Sequence, residues 1–113
     1  MKFLAVTACP SGVAHTYMSA EALEKAAKKH GIEIKVETQG SIGIENQITP
    51  EDLAGTDAVI LTKDMPIKDE ERFQNIPKVR VGVSDAVKKA EAIITKLEKM
   101  VKDRKSTRLN SSH

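Results

Sequence analysis

The single cysteine of the sequence, Cys9, lies in a loop of small residues, CPSGVAHT, at positions 9–16. Gly12 permits a positive φ and a close approach of a ligand to the backbone, and the small side chains leave amide N–H groups free to converge on an anion. A helical pattern follows directly, and a helix N-terminus attracts negative charge. Because such groups stabilise a thiolate as well as a phosphate, we expect a nucleophilic thiol in a phosphate-binding loop.

Hydroxyl and imidazole groups complete the predicted site. Ser11 and Thr16 offer hydroxyl donors, and we expect His15 to cap the helix start or donate a hydrogen bond rather than act in acid–base catalysis. A lone cysteine is more often an inert core residue, but its place between a strand and a helix favours function. With Cys9 as the catalytic residue, the predicted phosphate-binding residues are Pro10, Ser11, Gly12, Val13, Ala14, His15 and Thr16.

Composition argues against several other classes of function. His15, His30 and His113 have no metal-ligand spacing and one cysteine builds no metal cage, so we expect no metal and no cofactor. Only three residues are aromatic and no basic stripe is present, which argues against nucleic-acid binding. Apolar runs are strand-sized and no targeting segment precedes them, which predicts a cytoplasmic protein.

The chain divides into one predicted domain and a tail. Residues 1–103 suffice for a single core. Residues 104–113 are rich in serine, poor in apolar side chains and basic without any acid. We interpret this tail as disordered or non-native sequence.

Apolar periodicity predicts four strands alternating with four helices, an α/β fold. Residues 2–8 and 57–62 are nearly all apolar and suit central strands, whereas residues 32–38 and 78–83 alternate and suit edges. Right-handed crossovers then give a Rossmann-like, four-stranded parallel sheet of order 2-1-3-4 with helices on both faces. The winding reverses between strands one and three, so the Cys9 loop lies where ligands bind such sheets.

The predicted helices have recognisable starts. Thr49 is an expected N-cap with Pro50 at the first helical position, and a short helix is expected at 69–73. Ser84 is the expected cap of one last helix that ends near Asp103.

Two further loops reach the same end of the sheet. Thr38, Gln39 and Ser41, after strand two, would line a rim of the site, although plain turn chemistry is equally compatible with them. Asp64, after strand three, stands where an acid could face the thiol, although charged residues in such a loop are more often solvated.

A thiolate in a phosphate-binding loop can serve a phosphoryl carrier, which is the first hypothesis, and two alternatives use the same loop. Cysteine-dependent low-molecular-weight phosphatases carry Cys, five residues, then Arg and a hydroxyl residue. Here His15 takes the place of the Arg, and imidazole cannot clamp phosphoryl oxygens as a guanidinium does; Asp64 is the only candidate acid. The third hypothesis is a phosphate-sensing regulatory module without transfer.

Three segments resemble the fructose-type enzyme IIB of the bacterial phosphoenolpyruvate-dependent sugar phosphotransferase system. They are ACPSGVAHTYMSAEAL, KVETQGSIGIENQITPEDLAGTDAVILTKD and Arg72-Phe73, and the likeness extends over residues 2–102. The resemblance implies that Cys9 takes a phosphoryl group from a phosphohistidine of enzyme IIA. It implies further that Cys9 passes the group to a sugar, fructose by family default, bound by the membrane enzyme IIC. Contact with the membrane would occur only through IIC.

Overall fold

A computed structural model of the chain describes residues 1–8, 13–40, 43–64, 66–74 and 76–111. The strands are β1 (Lys2–Ala8), β2 (Glu33–Gly40), β3 (Gly43–Glu45), β4 (Ala58–Thr62) and β5 (Lys78–Val81). The α-helices are α1 (Val13–Lys29), α2 (Pro50–Leu53), α3 (Val83–Lys88) and α4 (Ala90–Ser111), and a 3₁₀ helix spans Glu70–Phe73.

The sheet has five strands in the order β3-β2-β1-β4-β5. β2, β1, β4 and β5 run parallel, in the relative order predicted, whereas β3 pairs antiparallel with β2. The α/β class is therefore confirmed, and the prediction of four strands in an all-parallel sheet is wrong. β3 lies in a segment that the sequence presents as a glycine-punctuated loop, where Gly43 has a φ of 127° that favours glycine.

Two apolar clusters pack against opposite faces of the sheet. Alternation along β1 sends Phe3 and Ala5 to one cluster and Leu4 and Val6 to the other. The first cluster includes residues of α1, α3 and α4: Ala20, Leu23, Ala26, Ala27, Ala86, Ala90, Ile94, Leu97 and Val101. The second includes side chains of the 3₁₀ helix, α2 and the loops: Ile48, Leu53, Ile67, Phe73 and Ile76. Helices thus flank both faces, as predicted.

Glu37 lies on the charged side of β2, a strand that the sequence predicts at a sheet edge but that β3 flanks in the structure. Its side chain has no exposed surface and pairs with Arg72 of the 3₁₀ helix. Arg72 Nη1 lies 2.9 Å from Glu37 Oε1 and Nη2 lies 2.5 Å from Oε2, while the Ile48 amide donates to Oε1 at 2.8 Å. Burial raises the pKa of Glu37, but these hydrogen bonds outweigh it and hold the pKa below its usual range.

The helix starts agree with the sequence in one case and differ in another. Thr49 caps α2 through a reciprocal capping box with Asp52, as predicted for the N-cap, and Pro50 begins the helix. The predicted last helix is two helices, α3 and α4, and the N-cap of α3 is Gly82, so the prediction of Ser84 as the cap is wrong.

α4 extends to Ser111, beyond the expected end near Asp103, and its side chains are described as far as Asp103. The interpretation of residues 104–113 as a tail stays a prediction. No helix within the described ranges is long and apolar enough to cross a membrane.

Candidate functional site

The predicted phosphate loop leaves β1 and enters α1, and the structure describes its second half. Cys9, Pro10, Ser11 and Gly12 lie outside the described residues, as does Ser41 of the neighbouring loop. Of the remaining members, Val13 begins α1 and is followed by Ala14, His15 and Thr16 in its first turn; Ala14 and His15 are exposed. The helix start that an anion site requires therefore follows the Cys9 loop directly.

Thr16 differs from its neighbours because it is buried, with 1% of its surface exposed. Its backbone carbonyl accepts hydrogen bonds from the hydroxyls of Thr7, at 3.3 Å, and Ser19, at 2.9 Å. Its own Oγ1 is buried and has no hydrogen-bond partner within the part of the chain that the structure describes. A buried hydroxyl without a partner is unfavourable by about 1–3 kcal/mol. The Thr16 side chain lies beside the end of β1, where Thr7 contacts the same turn of α1.

The charge pattern of α1 suits an anion at its N-terminus. The first turn carries no acidic side chain, and Lys28 and Lys29 lie in the last turn. The basic residues therefore complement the negative end of the helix dipole, and no carboxylate of the first turn competes for the positive end.

The carboxyl end of β1 is held from the β4 side by a residue that sequence reasoning missed, Thr62. Strand pairing between β1 and β4 runs as far as Val6 opposite Leu61. Beyond that point, the Thr62 hydroxyl accepts a hydrogen bond from Ala8 N at 2.9 Å and donates one to Ala8 O at 3.1 Å. Thr62 is 1% exposed. The only signal in the sequence is a polar residue at the end of an apolar strand.

Thr38 and Gln39, which the sequence places in a loop after strand two, belong to β2 in the structure. Thr38 and Gln39 are buried within β2, at 6% and 9% exposure. Gln39 Oε1 accepts from Lys68 N at 2.9 Å, and its Nε2 donates to Lys68 O at 3.1 Å and to Glu37 at 2.7 Å. Gln39 also pairs with Ala8 in the sheet. Its hydrogen bonds therefore hold the Lys68 backbone, in the loop after β4, near the end of β1.

Asp64 shares a cleft with His15 but is engaged in capping a helix. Its Oδ1 accepts a hydrogen bond from Val83 N, the first residue of α3, at 2.8 Å. The cleft between the starts of α1 and α3 has a volume of about 240 Å³ and is lined by His15, Met18, Asp64, Val83, Ser84, Val87 and Lys88. Asp64 therefore lies beside the start of α1, and its carboxylate bonds the first amide of α3, which has no acceptor within that helix.

Comparison with known proteins decides the family. A protein-family model described as "PTS system, Lactose/Cellobiose specific IIB subunit" matches residues 4–104. Over 97 residues the chain is 68% identical to the PTS system fructose-like EIIB component 2 of Escherichia coli (strain K12), covering 86% of this chain and 92% of that protein. The chain belongs to the PTS IIB family. The resemblance to the fructose-type IIB subunits is thereby confirmed.

The fold of this IIB subunit is also that of a solved relative. The solution structure of an enzyme IIB subunit of the PTS from Escherichia coli K12 superposes with a TM-score of 0.86 at 40% identity, covering 92% of this chain and 96% of that one. The 2-O-alpha-mannosyl-D-glycerate-specific EIIABC component of Escherichia coli is 48% identical over 89 residues, which are 79% of this chain and 14% of that protein. IIB subunits work with other components of the phosphotransferase system, and in some homologues they are fused to them.

Proposed function

We propose that this chain is a cytoplasmic phosphoryl-transfer subunit that carries the phosphoryl group on Cys9. It accepts the group from a phosphohistidine of enzyme IIA and passes it to a sugar, fructose or a close analogue, bound by the membrane enzyme IIC. The observation that carries this proposal is the buried Thr16 hydroxyl, which has no partner among the described residues and lies in the first turn of α1, at the end of the CPSGVAHT motif. Membership of the IIB family and the name of the fructose-like relative support it.

Both transfer steps are displacements at phosphorus. In the first, the Cys9 thiolate attacks, an S–P bond forms, and the P–N bond of the phosphohistidine breaks with its electron pair left on the imidazole. In the second, a sugar hydroxyl attacks, an O–P bond forms, and the S–P bond breaks to restore the thiolate; the hydroxyl proton leaves to a base on the partner or to water. The scheme needs no metal from this chain, because backbone amides and hydroxyls can neutralise the phosphoryl oxygens.

The residues behind the loop suit the binding part of this scheme. The amides at the start of α1 have no intrahelical acceptors and can donate to an anion. Thr16 adds a hydroxyl that is buried and therefore already desolvated, which makes its interaction with a developing charge stronger than in water. Thr7 holds the Thr16 carbonyl, so this turn of the helix is fixed against the strand that leads to Cys9.

A phosphoryl carrier fits the residues of this site better than a phosphatase does. His15 stands where the phosphatases carry an arginine, and it is exposed. Asp64, the only candidate acid, accepts a hydrogen bond from the start of α3. The large side chains of Tyr17 and Met18 lie on the helix directly after the site, at 41% and 50% exposure, and suit the approach of a protein partner.

The proposal is tested by following the phosphoryl group. Purified protein is incubated with phosphoenolpyruvate, enzyme I, the phosphocarrier protein and a fructose-type IIA, and its intact mass is measured. We expect a gain of roughly 80 Da, mapped to Cys9 by peptide mass spectrometry under conditions that preserve thiophosphate. Omission of IIA is the control, and a wild-type protein that gains no mass, or gains it at another residue, contradicts the proposal.

Replacing Thr16 with valine is expected to separate activity from stability. Valine removes a buried hydroxyl that has no partner within the described part of the protein, so the free energy of unfolding is expected to stay level or rise. Loss of one donor to the phosphoryl oxygens should lower the rate of phosphoryl acceptance about 100-fold. Urea denaturation and stopped-flow or quench-flow labelling measure the two quantities.

The matched controls for this variant are Thr16→Ser and Ser19→Ala. Thr16→Ser keeps the hydroxyl and should keep most of the transfer rate. Ser19, one turn later in α1, already uses its hydroxyl on the Thr16 carbonyl, so its loss should lower stability more than transfer. A Thr16→Val protein that transfers phosphate as fast as the wild type would exclude Thr16 from the phosphate site.

A further inference from the structure

We infer that Thr62 is a positioning residue for Cys9. Its hydroxyl holds both backbone polar groups of Ala8 and thereby orients the peptide that joins Ala8 to Cys9. This inference rests on the proposed function only in naming phosphoryl transfer as the reaction that benefits. The geometry that carries it involves described residues alone, and the distances are 2.9 Å to Ala8 N and 3.1 Å to Ala8 O.

The position of the Thr62 contact is what distinguishes it from ordinary strand pairing. Ala8 is the last residue of β1, and on its other side it pairs with Gln39 of β2. On the β4 side, backbone pairing extends to Val6 and Leu61, and β4 itself ends at Thr62. A side chain therefore takes over where backbone pairing with β4 ends, at the residue directly before the proposed nucleophile.

Chain connectivity explains how this contact reaches the cysteine. The carbonyl of Ala8 belongs to the same planar peptide unit as the amide nitrogen of residue 9. A hydrogen bond to that carbonyl restricts the rotation of the whole plane, and the second bond, from Ala8 N, restricts the plane before it. Because the thiolate must meet phosphorus in line, a small error in this plane is expected to slow transfer strongly.

The two hydrogen bonds depend on the hydroxyl of Thr62 and not on the shape of its side chain. One threonine Oγ1 can accept from an N–H and donate to a C=O at the same time. Thr62 is 1% exposed, so water cannot readily replace either bond when the hydroxyl is removed. Valine has nearly the same shape but can make neither bond, whereas serine can make both.

The test compares Thr62→Val and Thr62→Ser with the wild type in two assays. The first is the rate of phosphoryl acceptance from phosphorylated IIA, for which we expect Thr62→Val to lower kcat about 10- to 100-fold with a smaller change in KM. The second is the rate of alkylation of Cys9, the only cysteine, by iodoacetamide as a function of pH. We expect the profile of Thr62→Val to shift to higher pH, because misaligned amides stabilise the thiolate less.

Thr56→Val is the matched control. Thr56 precedes the opposite end of β4 by two residues, and its hydroxyl donates to the Asp52 carbonyl. Its loss should lower the thermal midpoint without moving kcat or the alkylation profile. A purely structural role for Thr62 would give the same result as Thr56→Val, and that result overturns the inference.

Two further outcomes also test the role of Thr62. If Thr62→Val does not fold, the test depends on Thr62→Ser. Retention of most of the wild-type rate of phosphoryl acceptance and of the alkylation profile supports the inference. A loss of rate comparable to that of Cys9→Ser overturns it. If the wild type accepts no phosphoryl group, the proposed function fails. The pH profiles of Cys9 alkylation in Thr62→Val and the wild type then still test the role of Thr62 without phosphoryl transfer.

Discussion

Cys9→Ala and Cys9→Ser proteins are expected to fold like the wild type but to accept phosphate from IIA at least about 1000-fold more slowly. This is the largest effect that we expect from any single substitution, because the sulfur is the atom that forms the new bond to phosphorus. Alanine has no nucleophile, and a serine hydroxyl remains protonated in surroundings that stabilise a thiolate. The measurement is labelling from phosphoenolpyruvate through the complete donor chain, with circular dichroism to check the fold.

The serine variant is the sharper of the two tests. It keeps a side chain of similar size in the loop, so a lost rate cannot be assigned to a collapsed loop. Adding wild-type protein to the same reaction must restore labelling, which shows that the donor chain is intact. Full labelling of either variant would remove Cys9 from the reaction.

Arg72→Met is expected to lower the free energy of unfolding by about 3–5 kcal/mol. The Arg72 side chain is 15% exposed and that of Glu37 is fully buried, so the substitution leaves a carboxylate in the interior without its counter-charge. Methionine keeps much of the aliphatic length that packs near Phe73, whose ring centroid lies 4.7 Å from the guanidinium carbon. Urea denaturation at neutral pH measures the loss.

Arg80→Met is the matched control for this substitution. Arg80 pairs with Glu70 through two hydrogen bonds of 2.5 and 2.7 Å, but both partners are substantially exposed, so its loss should be much smaller. A second arm adds Glu37→Gln to Arg72→Met, which removes the buried charge and should restore part of the stability. Equal losses for Arg72→Met and Arg80→Met would show that burial of the pair is not what stabilises the protein.

The pH dependence of stability follows from the same ion pair. The pKa of Glu37 is lower in the folded than in the unfolded protein, where the value for a free glutamate is about 4.3. The contribution of Glu37 is therefore complete above that value and is lost as pH falls through the folded-state pKa. In Glu37→Gln this part of the acid destabilisation should be absent.

The sequence predicts those parts of the fold whose pattern lies among residues close together along the chain. β1 and β4 are continuous apolar runs and are central in the sheet, and the α2 cap depends on Thr49 and Asp52, three residues apart. These signals involve neighbours along the chain, so they can be read without knowledge of the fold. β3 has only three residues, Gly43–Glu45, and Ile44 is its one large apolar side chain, so the strand is too short for alternation to mark it.

The features that sequence reasoning missed are long-range. Glu37 looks like an exposed strand residue because its partner, Arg72, lies 35 positions away. Thr62 contacts Ala8 across 54 positions, and Asp64 contacts the start of α3 across 19. Polar residues give no periodic signal that pairs them, so only the folded chain brings these groups together.

The sequence by itself determined the α/β class, the order of the four parallel strands, the family and the expectation that Cys9 carries phosphate. Each of these depends on apolar patterning or on a contiguous motif, CPSGVAHT. The tertiary structure decided which polar side chains are engaged around the end of β1: Thr62 bonds Ala8, Gln39 bonds Lys68, and the buried Thr16 hydroxyl has no partner within the described ranges. The physical reason is that a motif specifies which residues are present, whereas burial and long-range contacts specify which of their polar groups are already engaged.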